Sequence, residues 1–156
     1  LVHDFLKDPE TVSVRTTETS DHVEQDVIEY RDKNEKVEIL TDLLNKPEYE
    51  KVLVFGETKF GVQRLSDHLD NTGIPSVAIH GNKNQSQRQR ALKQFKDERV
   101  RVLVATDVAA RGLDIPNVTH VINFDTPQTY EDYVHRIGRT GRGGASGRAH
   151  TFIEQR

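Results

Sequence analysis

The sequence predicts an α/β fold in which a mostly parallel central sheet is flanked by helices. Three short, valine-rich runs, at 51–55, 100–106 and 118–124, consist almost entirely of apolar side chains. That pattern is typical of strands buried on both faces of a parallel sheet. Between the runs, apolar residues recur every three or four positions, which is typical of amphipathic helices. Strands that alternate with helices favour parallel pairing through right-handed crossovers.

The remaining elements follow from the same two patterns. We expect further strands at 75–80 and 148–154, and N-terminal strands near 11–15 and 22–30. Asn-Thr-Gly at 71–73 indicates a helix end followed by a turn. Helical spacing links three sets of apolar residues: Val37, Leu40 and Leu44; Val62, Leu65 and Leu69; Leu92 and Phe95.

Length and composition limit the class of protein. The chain has 156 residues, about one domain in size, and a net charge of −3. It contains no cysteine, which excludes disulfides and thiolate metal sites, and no apolar run of the length a membrane span needs. Because it begins with leucine and lacks methionine, we expect it to be part of a longer protein. We interpret residues 1–156 as one domain whose first ten residues end an incoming linker.

The net charge conceals an uneven distribution of charged side chains. Residues 1–35 carry ten acidic and four basic side chains, whereas residues 80–112 carry eight basic and three acidic ones. The run HRIGRTGR at 135–142 adds three arginines, and no acidic residue lies between Asp132 and Glu154. A basic region on an acidic chain indicates a specific anionic partner. The alternative is that these arginines form salt bridges with acidic residues elsewhere in the chain.

Polar or charged segments follow four of the predicted strands, at 56–59, 80–90, 106–114 and 125–127. Carboxyl ends of parallel strands meet at one edge of a sheet, where open α/β proteins bind ligands. Core packing requires none of these polar side chains. The four segments together therefore predict a binding site at that edge.

The arginine run follows a predicted short helix over 130–139. On a helix, Arg136 and Arg139 would share one face. Gly138, Gly141, Gly143 and Gly144 indicate that the helix stops nearby, which places Arg142 on a loop or in the last turn. The arginine side chain stays charged, and its planar fork matches phosphate oxygens. Several such forks without local carboxylates predict a phosphate ligand, unless acids elsewhere pair with them.

The segment at 106–114 has features of a nucleotide site. Gly112 permits a tight backbone turn or a close ligand approach, and Asp114 could accept hydrogen bonds from ribose hydroxyls. Thr106 offers a hydroxyl to a phosphate or a sugar. The alternative is that Asp107 or Asp114 caps a helix.

The segment at 80–90 begins with a glycine turn at Gly81 and continues as a basic helix, whose N-terminus could hold a phosphate. Gln85 and Arg88 share a helix face and could reach a sugar–phosphate backbone. Thr58 stands at another predicted helix start. We interpret His80, near a strand end, as a structural histidine.

Several nucleotide and metal motifs are missing from the sequence. There is no G-x-x-x-x-G-K-[ST] loop, no acidic pair after an apolar strand suited to Mg²⁺, and no Cys/His metal cluster. The chain therefore has arginines suited to a triphosphate but nothing to seat its metal ion.

These segments resemble the motifs of the C-terminal, RecA-like lobe of DEAD-box ATP-dependent RNA helicases, over nearly the whole chain. The matches are VLVFGETK with motif IV, HGNKNQSQRQRAL with the Q-x-x-R segment, VLVATDVAARGLDIP with motif V, INFDTP with motif Va and YVHRIGRTGR with motif VI. Gly56 departs from the family, which more often has a branched apolar residue there. The resemblance implies a RecA-like three-layer sandwich, related to P-loop NTPases but without its own Walker A loop.

The resemblance also implies a role for each matching residue. Arg139 and Arg142 match the arginines that reach the γ-phosphate of ATP, one of them as arginine finger. Gly112 and Asp114 match the ribose site. Residues that couple the lobes are matched by His135 and Arg136, and residues at the RNA backbone and its 2′-hydroxyls by Thr58, Gly81, Gln85, Arg88 and Thr106.

The resemblance implies two lobes, with ATP and single-stranded RNA bound in the cleft between them. The first lobe, absent from this chain, would hold Mg²⁺, and 1–10 would end the linker from it. We expect a cytoplasmic, RNA-stimulated ATPase that unwinds RNA duplexes or remodels RNA–protein complexes, with an isolated lobe that is monomeric and inactive. The alternatives are a non-catalytic RNA-binding or scaffold module and a DNA helicase of the same superfamily.

Overall fold

A six-stranded, all-parallel sheet forms the centre of the computed structural model, which describes residues 23–142 and 146–156. The order across the sheet is β1-β6-β5-β2-β4-β3. The strands are β1 (Val23–Tyr30), β2 (Val52–Phe55), β3 (Ser76–Ile79), β4 (Val102–Ala105), β5 (His120–Asn123) and β6 (Gly147–Glu154). Six predicted strands are thus confirmed to within about two residues at each end, and the pairing is parallel throughout. The predicted strand near 11–15 lies outside the described residues.

Five helices connect the described strands. They are α1 (Lys33–Leu44), α2 (Lys59–Asn71), α3 (Gln85–Lys96), α4 (Asp107–Ala110) and α5 (Tyr130–Ile137). A side-chain oxygen at each N-cap accepts a hydrogen bond from a backbone N–H of the first turn, which satisfies one of the free donors there. The predicted turn after α2 is confirmed, because Gly73 has a φ of 89°. The periodic pattern did not predict α4, since four residues are too few to show a period.

The hydrophobic core forms two layers, one on each face of the sheet. On one face, Leu53, Leu103 and Val121 pack with α3 and α5, whose buried residues include Phe95 and Ile137. The opposite face packs against α1 and α2 through buried valine, isoleucine and leucine side chains. The sheet is therefore covered on both faces, as the continuous apolar strands predict. Replacement of the fully buried Leu103 by alanine would lower the free energy of unfolding by about 2–5 kcal/mol. No helix among the described residues is long and apolar enough to cross a membrane.

Candidate nucleotide and nucleic-acid interface

The polar segments that follow the strands lie along one edge of the sheet, as predicted. Backbone hydrogen bonds join them where the strands end: the Gly56 N–H donates to Ala105 at 3.0 Å, and the Phe124 N–H donates to Phe55 at 3.0 Å. The Thr106 N–H donates to Ile79 at 3.2 Å. Parallel pairing thus brings segments that are distant in sequence into one row.

Arg136 is the buried centre of this row, with a side chain that is 3% exposed. Its guanidinium binds Asp107 through two hydrogen bonds of 2.7 and 2.6 Å. A third nitrogen donates to Asn123 Oδ1 at 3.2 Å and to the carbonyl of Asp125 at 2.8 Å. The guanidinium also lies over the Phe55 ring, 5.0 Å from its centroid. The salt-bridge alternative therefore describes Arg136, which joins the ends of β2, β4 and β5 to α5.

Arg139 lies beyond the end of the helix that carries Arg136. The helix predicted over 130–139 ends at Ile137, because Gly138 forms its C-cap, so the two arginines do not share a helix face. They still line the same cavity, which has a volume of about 70 Å³. Among the described residues, no carboxylate lies within 4.0 Å of the Arg139 guanidinium.

Basic side chains line the cavity from the end of α4, from α5 and from the segment after α5. Its charged lining consists of Asp107, Arg111, Asp132, His135, Arg136 and Arg139. The two carboxylates are matched by Arg136 and, at 4.0 Å, by Arg111, which leaves Arg139 uncompensated within the described residues. Burial and then the nearby charge of Arg142 lower the pKa of Arg139, while Asp114 acts in the opposite direction. A guanidinium in that setting favours an anion at the mouth of the cavity.

Arg142 forms hydrogen bonds with the segments beside the cavity. Its backbone N–H donates to Asn117 Oδ1 at 3.0 Å, and its side chain donates to the carbonyls of Gly138 at 3.1 Å and Ile115 at 3.2 Å. These contacts satisfy donors but do not neutralise the charge. Arg142 is therefore held in place while its positive charge stays available to an anion.

Gly112 and Asp114 form an exposed turn after α4. Gly112 has a φ of 81°, the left-handed region that favours glycine. The Asp114 side chain is 94% exposed, and its nearest cation, Lys96, lies 3.8 Å away. Thr106, and not Asp107, caps α4, and Asp114 caps no helix in the described part of the chain. The helix-cap alternative is therefore wrong for both aspartates.

The five residues matched to RNA contacts follow three adjacent strands, β2, β4 and β3. Thr58 and Thr106 cap α2 and α4, and each hydroxyl oxygen accepts a backbone N–H, while its own O–H has no acceptor within residues 23–142 and 146–156. Gly81 and Gln85 are exposed, and a methyl at Gly81 would meet no atom within 4 Å. Arg88 is half-buried; its guanidinium makes one long contact, 3.5 Å, to the His80 carbonyl, and its Nε has no partner in the described structure.

His80 is a structural histidine, as predicted. Its Nε2 lies 2.7 Å from the Gln63 amide oxygen, and its Nδ1 lies 3.2 Å from the Asn82 backbone N–H. These partners fit a neutral ring that donates from Nε2 and accepts at Nδ1. Burial and then the charges of nearby basic side chains lower its pKa, which favours the same neutral form.

Two supporting residues of the site are Asp125, which the sequence patterns placed in the polar segment 125–127 without a role, and Lys36, which they missed. The Asp125 carboxylate accepts the Glu57 backbone N–H at 2.7 Å and binds the Lys36 ammonium at 3.0 Å. Lys36 occupies the buried stripe of α1 that continues with Leu40 and Leu44. The spacing of four residues from Lys36 to Leu40, and of four more to Leu44, was the available signal, but an apolar residue, Val37, fitted the helical spacing as well.

Gly56 lies at the point where α2 approaches the end of β2. A methyl at Gly56 would lie 2.8 Å from Val62 Cγ2, so this glycine lets α2 approach the end of β2 closely.

Among residues 23–142 and 146–156, no group of three or more His, Cys, Asp or Glu side chains is placed to hold a metal ion.

A family model and the similar solved structures relate this chain to the same kind of protein. Residues 35–144 match the family described as the helicase conserved C-terminal domain. Three similar solved structures are Escherichia coli DEAD-box protein SrmB bound to regulator of ribonuclease activity A (41% identity, TM-score 0.79), a DEAD box protein from Methanococcus jannaschii (40%, 0.79) and Saccharomyces cerevisiae Dbp5 bound to RNA and ADP BeF3 (32%, 0.79). They cover 85%, 86% and 90% of this chain. This chain spans 76% of the SrmB chain but only 36% and 38% of the other two.

Proposed function

Because the chain belongs to the DEAD-box helicases and forms their helicase C-terminal domain, we propose that it is the second lobe of an ATP-dependent RNA helicase. In this proposal the lobe closes over ATP bound to a first lobe and binds the backbone of single-stranded RNA. The observation that carries it is the pair Arg139 and Arg142, whose charges lack carboxylate partners among the described residues. The Methanococcus jannaschii protein and Dbp5 are more than twice as long as the part that this chain matches, which supports the existence of a further lobe.

The arginines would act on the phosphates of ATP. The nucleotide, with its Mg²⁺, supplies the phosphoryl group that is transferred to water, and we assign the metal to the first lobe. Arg139 and Arg142 would face the γ-phosphate and stabilise the negative charge of the transition state, an effect worth roughly 10³–10⁵ in rate for an arginine finger. Asp114, exposed on the Gly112 turn, would accept hydrogen bonds from the ribose hydroxyls.

Arg136 and His135 would have different tasks. Arg136 is buried and paired with Asp107, so it would hold the ends of the strands together and thereby position the cavity. His135 immediately precedes Arg136 in α5, is exposed and lines the cavity, where it could contact the first lobe. We therefore propose that Arg136 positions the site and that His135 couples the lobes.

RNA would bind along the ends of β2, β4 and β3. The N-termini of α2 and α3 provide partial positive charge and free backbone N–H groups, and Thr58 and Thr106 provide hydroxyl donors. Arg88 lies under-bonded in the same row. Contacts of these kinds recognise phosphates and 2′-hydroxyls, so binding would depend little on base sequence and would discriminate against DNA. The structure of the relative Dbp5 bound to RNA and ADP BeF3 supports this pairing of ligands.

A second candidate is a non-catalytic RNA-binding module. The observation in its favour is that Arg142 donates to two backbone carbonyls and so has a structural role already. In that case the loops would retain their shape and their RNA contacts, but the arginines would not act on ATP.

The test is ATP hydrolysis by the full-length protein with and without single-stranded RNA, with the isolated lobe as blank. RNA-stimulated hydrolysis in the full-length protein and none in the lobe is the expected result. RNA binding without hydrolysis would favour the non-catalytic module. Equal or tighter binding of single-stranded DNA of the same sequence would contradict the RNA assignment.

A further inference from the structure

Lys36 is a buried lysine on α1, outside every segment assigned to ATP or RNA. Its side chain is 11% exposed. The ammonium lies over the Phe124 ring, 4.1 Å from the centroid, and 4.9 Å from the centroid of Tyr30. Removal of a charged group from water is costly unless the charge is paired, and Asp125 supplies that partner at 3.0 Å.

The Asp125 carboxylate connects α1 to the turn that carries Thr58. One carboxylate oxygen binds the Lys36 ammonium, and the other accepts the backbone N–H of Glu57 at 2.7 Å. Glu57 immediately precedes Thr58, the cap of α2 and a candidate RNA contact. The orientation of this carboxylate therefore decides whether the Glu57 N–H has its partner.

The backbone of Asp125 is held independently of Lys36. Its N–H donates to the Phe55 carbonyl at 3.2 Å, and its own carbonyl accepts from Arg136 at 2.8 Å. Loss of the Lys36 charge would leave these bonds in place. The contact thus acts on the carboxylate and the Glu57 turn, and not on the arginine cavity.

We propose that Lys36 is a positioning residue for RNA, which acts through the Asp125 carboxylate to hold the Glu57–Thr58 turn in its binding geometry. The inference rests on the proposed function and deepens it by adding a residue from α1 to the RNA site. It predicts a specific kinetic signature: the RNA requirement of ATP hydrolysis rises, while the maximal rate at saturating RNA is preserved. A merely structural ion pair would lower stability and leave the RNA requirement unchanged.

The experiment compares Lys36→Met with Lys33→Met in the full-length protein. Methionine keeps an unbranched stem against the two rings and removes the ammonium group. Lys33 lies on the same helix, is exposed and has no ion pair within the described residues, so its variant is matched for residue type and charge change. The readouts are the oligouridine concentration that gives half-maximal ATPase stimulation, the rate at saturating oligouridine, and the melting temperature.

We expect Lys36→Met to raise the half-maximal oligouridine concentration about fivefold, the equivalent of about 1 kcal/mol for a charge-assisted contact. The rate at saturation should stay within about twofold of the wild type, and Lys33→Met should match the wild type in both. Asp125→Asn should give a similar increase, and combining it with Lys36→Met should add little, because both act through one carboxylate.

Three results would overturn the inference. The first is an unchanged RNA requirement in Lys36→Met, whatever its melting temperature. A second is a loss of maximal rate without a change in RNA requirement, and a third is full additivity with Asp125→Asn. Absence of RNA-stimulated hydrolysis in the wild type would be a different failure, since it would overturn the proposed function and this inference with it.

Discussion

Replacement of Arg136 by alanine should destabilise the domain far more than replacement of a surface arginine. The Arg136 side chain is 3% exposed and Asp107 is 29% exposed, whereas the Arg148–Glu24 pair is 56% and 75% exposed. Arg148 lies near the amino end of β6, at the opposite edge of the sheet from the cavity. It therefore serves as a control of the same residue type.

The magnitude follows from the contacts that are lost. Arg136→Ala removes two charge-assisted hydrogen bonds to Asp107 and two further bonds, to Asn123 and to the Asp125 carbonyl. Breaking a buried ion pair by removing one partner costs about 3–5 kcal/mol. Because Asp107 is partly exposed and can regain water, we expect the lower end, about 3 kcal/mol. The exposed Arg148 pair is worth about 0–1 kcal/mol.

Urea unfolding of the 156-residue chain, followed by circular dichroism, measures both free energies. A loss of about 3 kcal/mol corresponds to a fall of roughly 6–12 °C in melting temperature for a domain of this size. Double replacement of Arg136 and Asp107 should cost less than the sum of the single changes, because they share one interaction. An Arg136→Ala variant no less stable than Arg148→Ala would refute the assignment of Arg136 as a positioning residue.

Three further predictions concern acid stability, backbone packing and RNA binding. Burial first, and neighbouring cations second, lower the pKa of His120 to about 4. Because the ring in the unfolded chain binds a proton below about pH 6.5, the free energy of unfolding should fall between about pH 6.5 and pH 4, by about 3 kcal/mol in all. Urea unfolding should show a weaker dependence of stability on pH for His120→Gln, and an equal dependence in the variant and the wild type would contradict this. Gly147→Ala should cost about 1–3 kcal/mol, because the methyl would clash with Thr140 Oγ1 and lie 2.6 Å from the Gly141 nitrogen, whereas a methyl at Gly81 would meet no atom within 4 Å. Equal melting temperatures of Gly147→Ala and Gly81→Ala would contradict this. Single-stranded RNA should bind the chain with a logarithmic salt slope of about −0.7 per phosphate contact, measured by fluorescence anisotropy, and salt-insensitive binding would rule out a backbone-directed site.

The sheet and the polar edge that carries the candidate site could be predicted because they depend on local patterns. Valine-rich runs such as 51–55 and 100–106 are short and continuous, which identifies buried parallel strands with little ambiguity. Once the strands are parallel, the segments after them must share an edge. The resemblance of motifs V and VI to the family then named the residues of that edge.

The pairings inside the site could not be predicted, because they depend on tertiary distance. Asp107 and Arg136 are 29 residues apart, and only the folded sheet shows that they meet. Spacing placed Arg139 on the helix, because several glycines indicated a nearby helix end and the sequence does not show that Gly138 is the one that forms the C-cap. Lys36 was missed for a related reason: a lysine on a helix is ordinarily solvent-exposed, and its partners Phe124 and Asp125 come from the segment that follows β5.

In the proposed function, Arg139 and Arg142 complete an ATP site across two lobes. The most direct test of this proposal is the rate of ATP hydrolysis by the full-length protein at saturating ATP and RNA, for wild type, Arg139→Ala, Arg142→Ala and Arg148→Ala. Replacement of Arg139 or Arg142 should lower the rate roughly 10³-fold or more while the protein stays folded and still binds RNA, and Arg148→Ala should cause no loss. Hydrolysis by Arg139→Ala and Arg142→Ala at the wild-type rate would contradict the proposal.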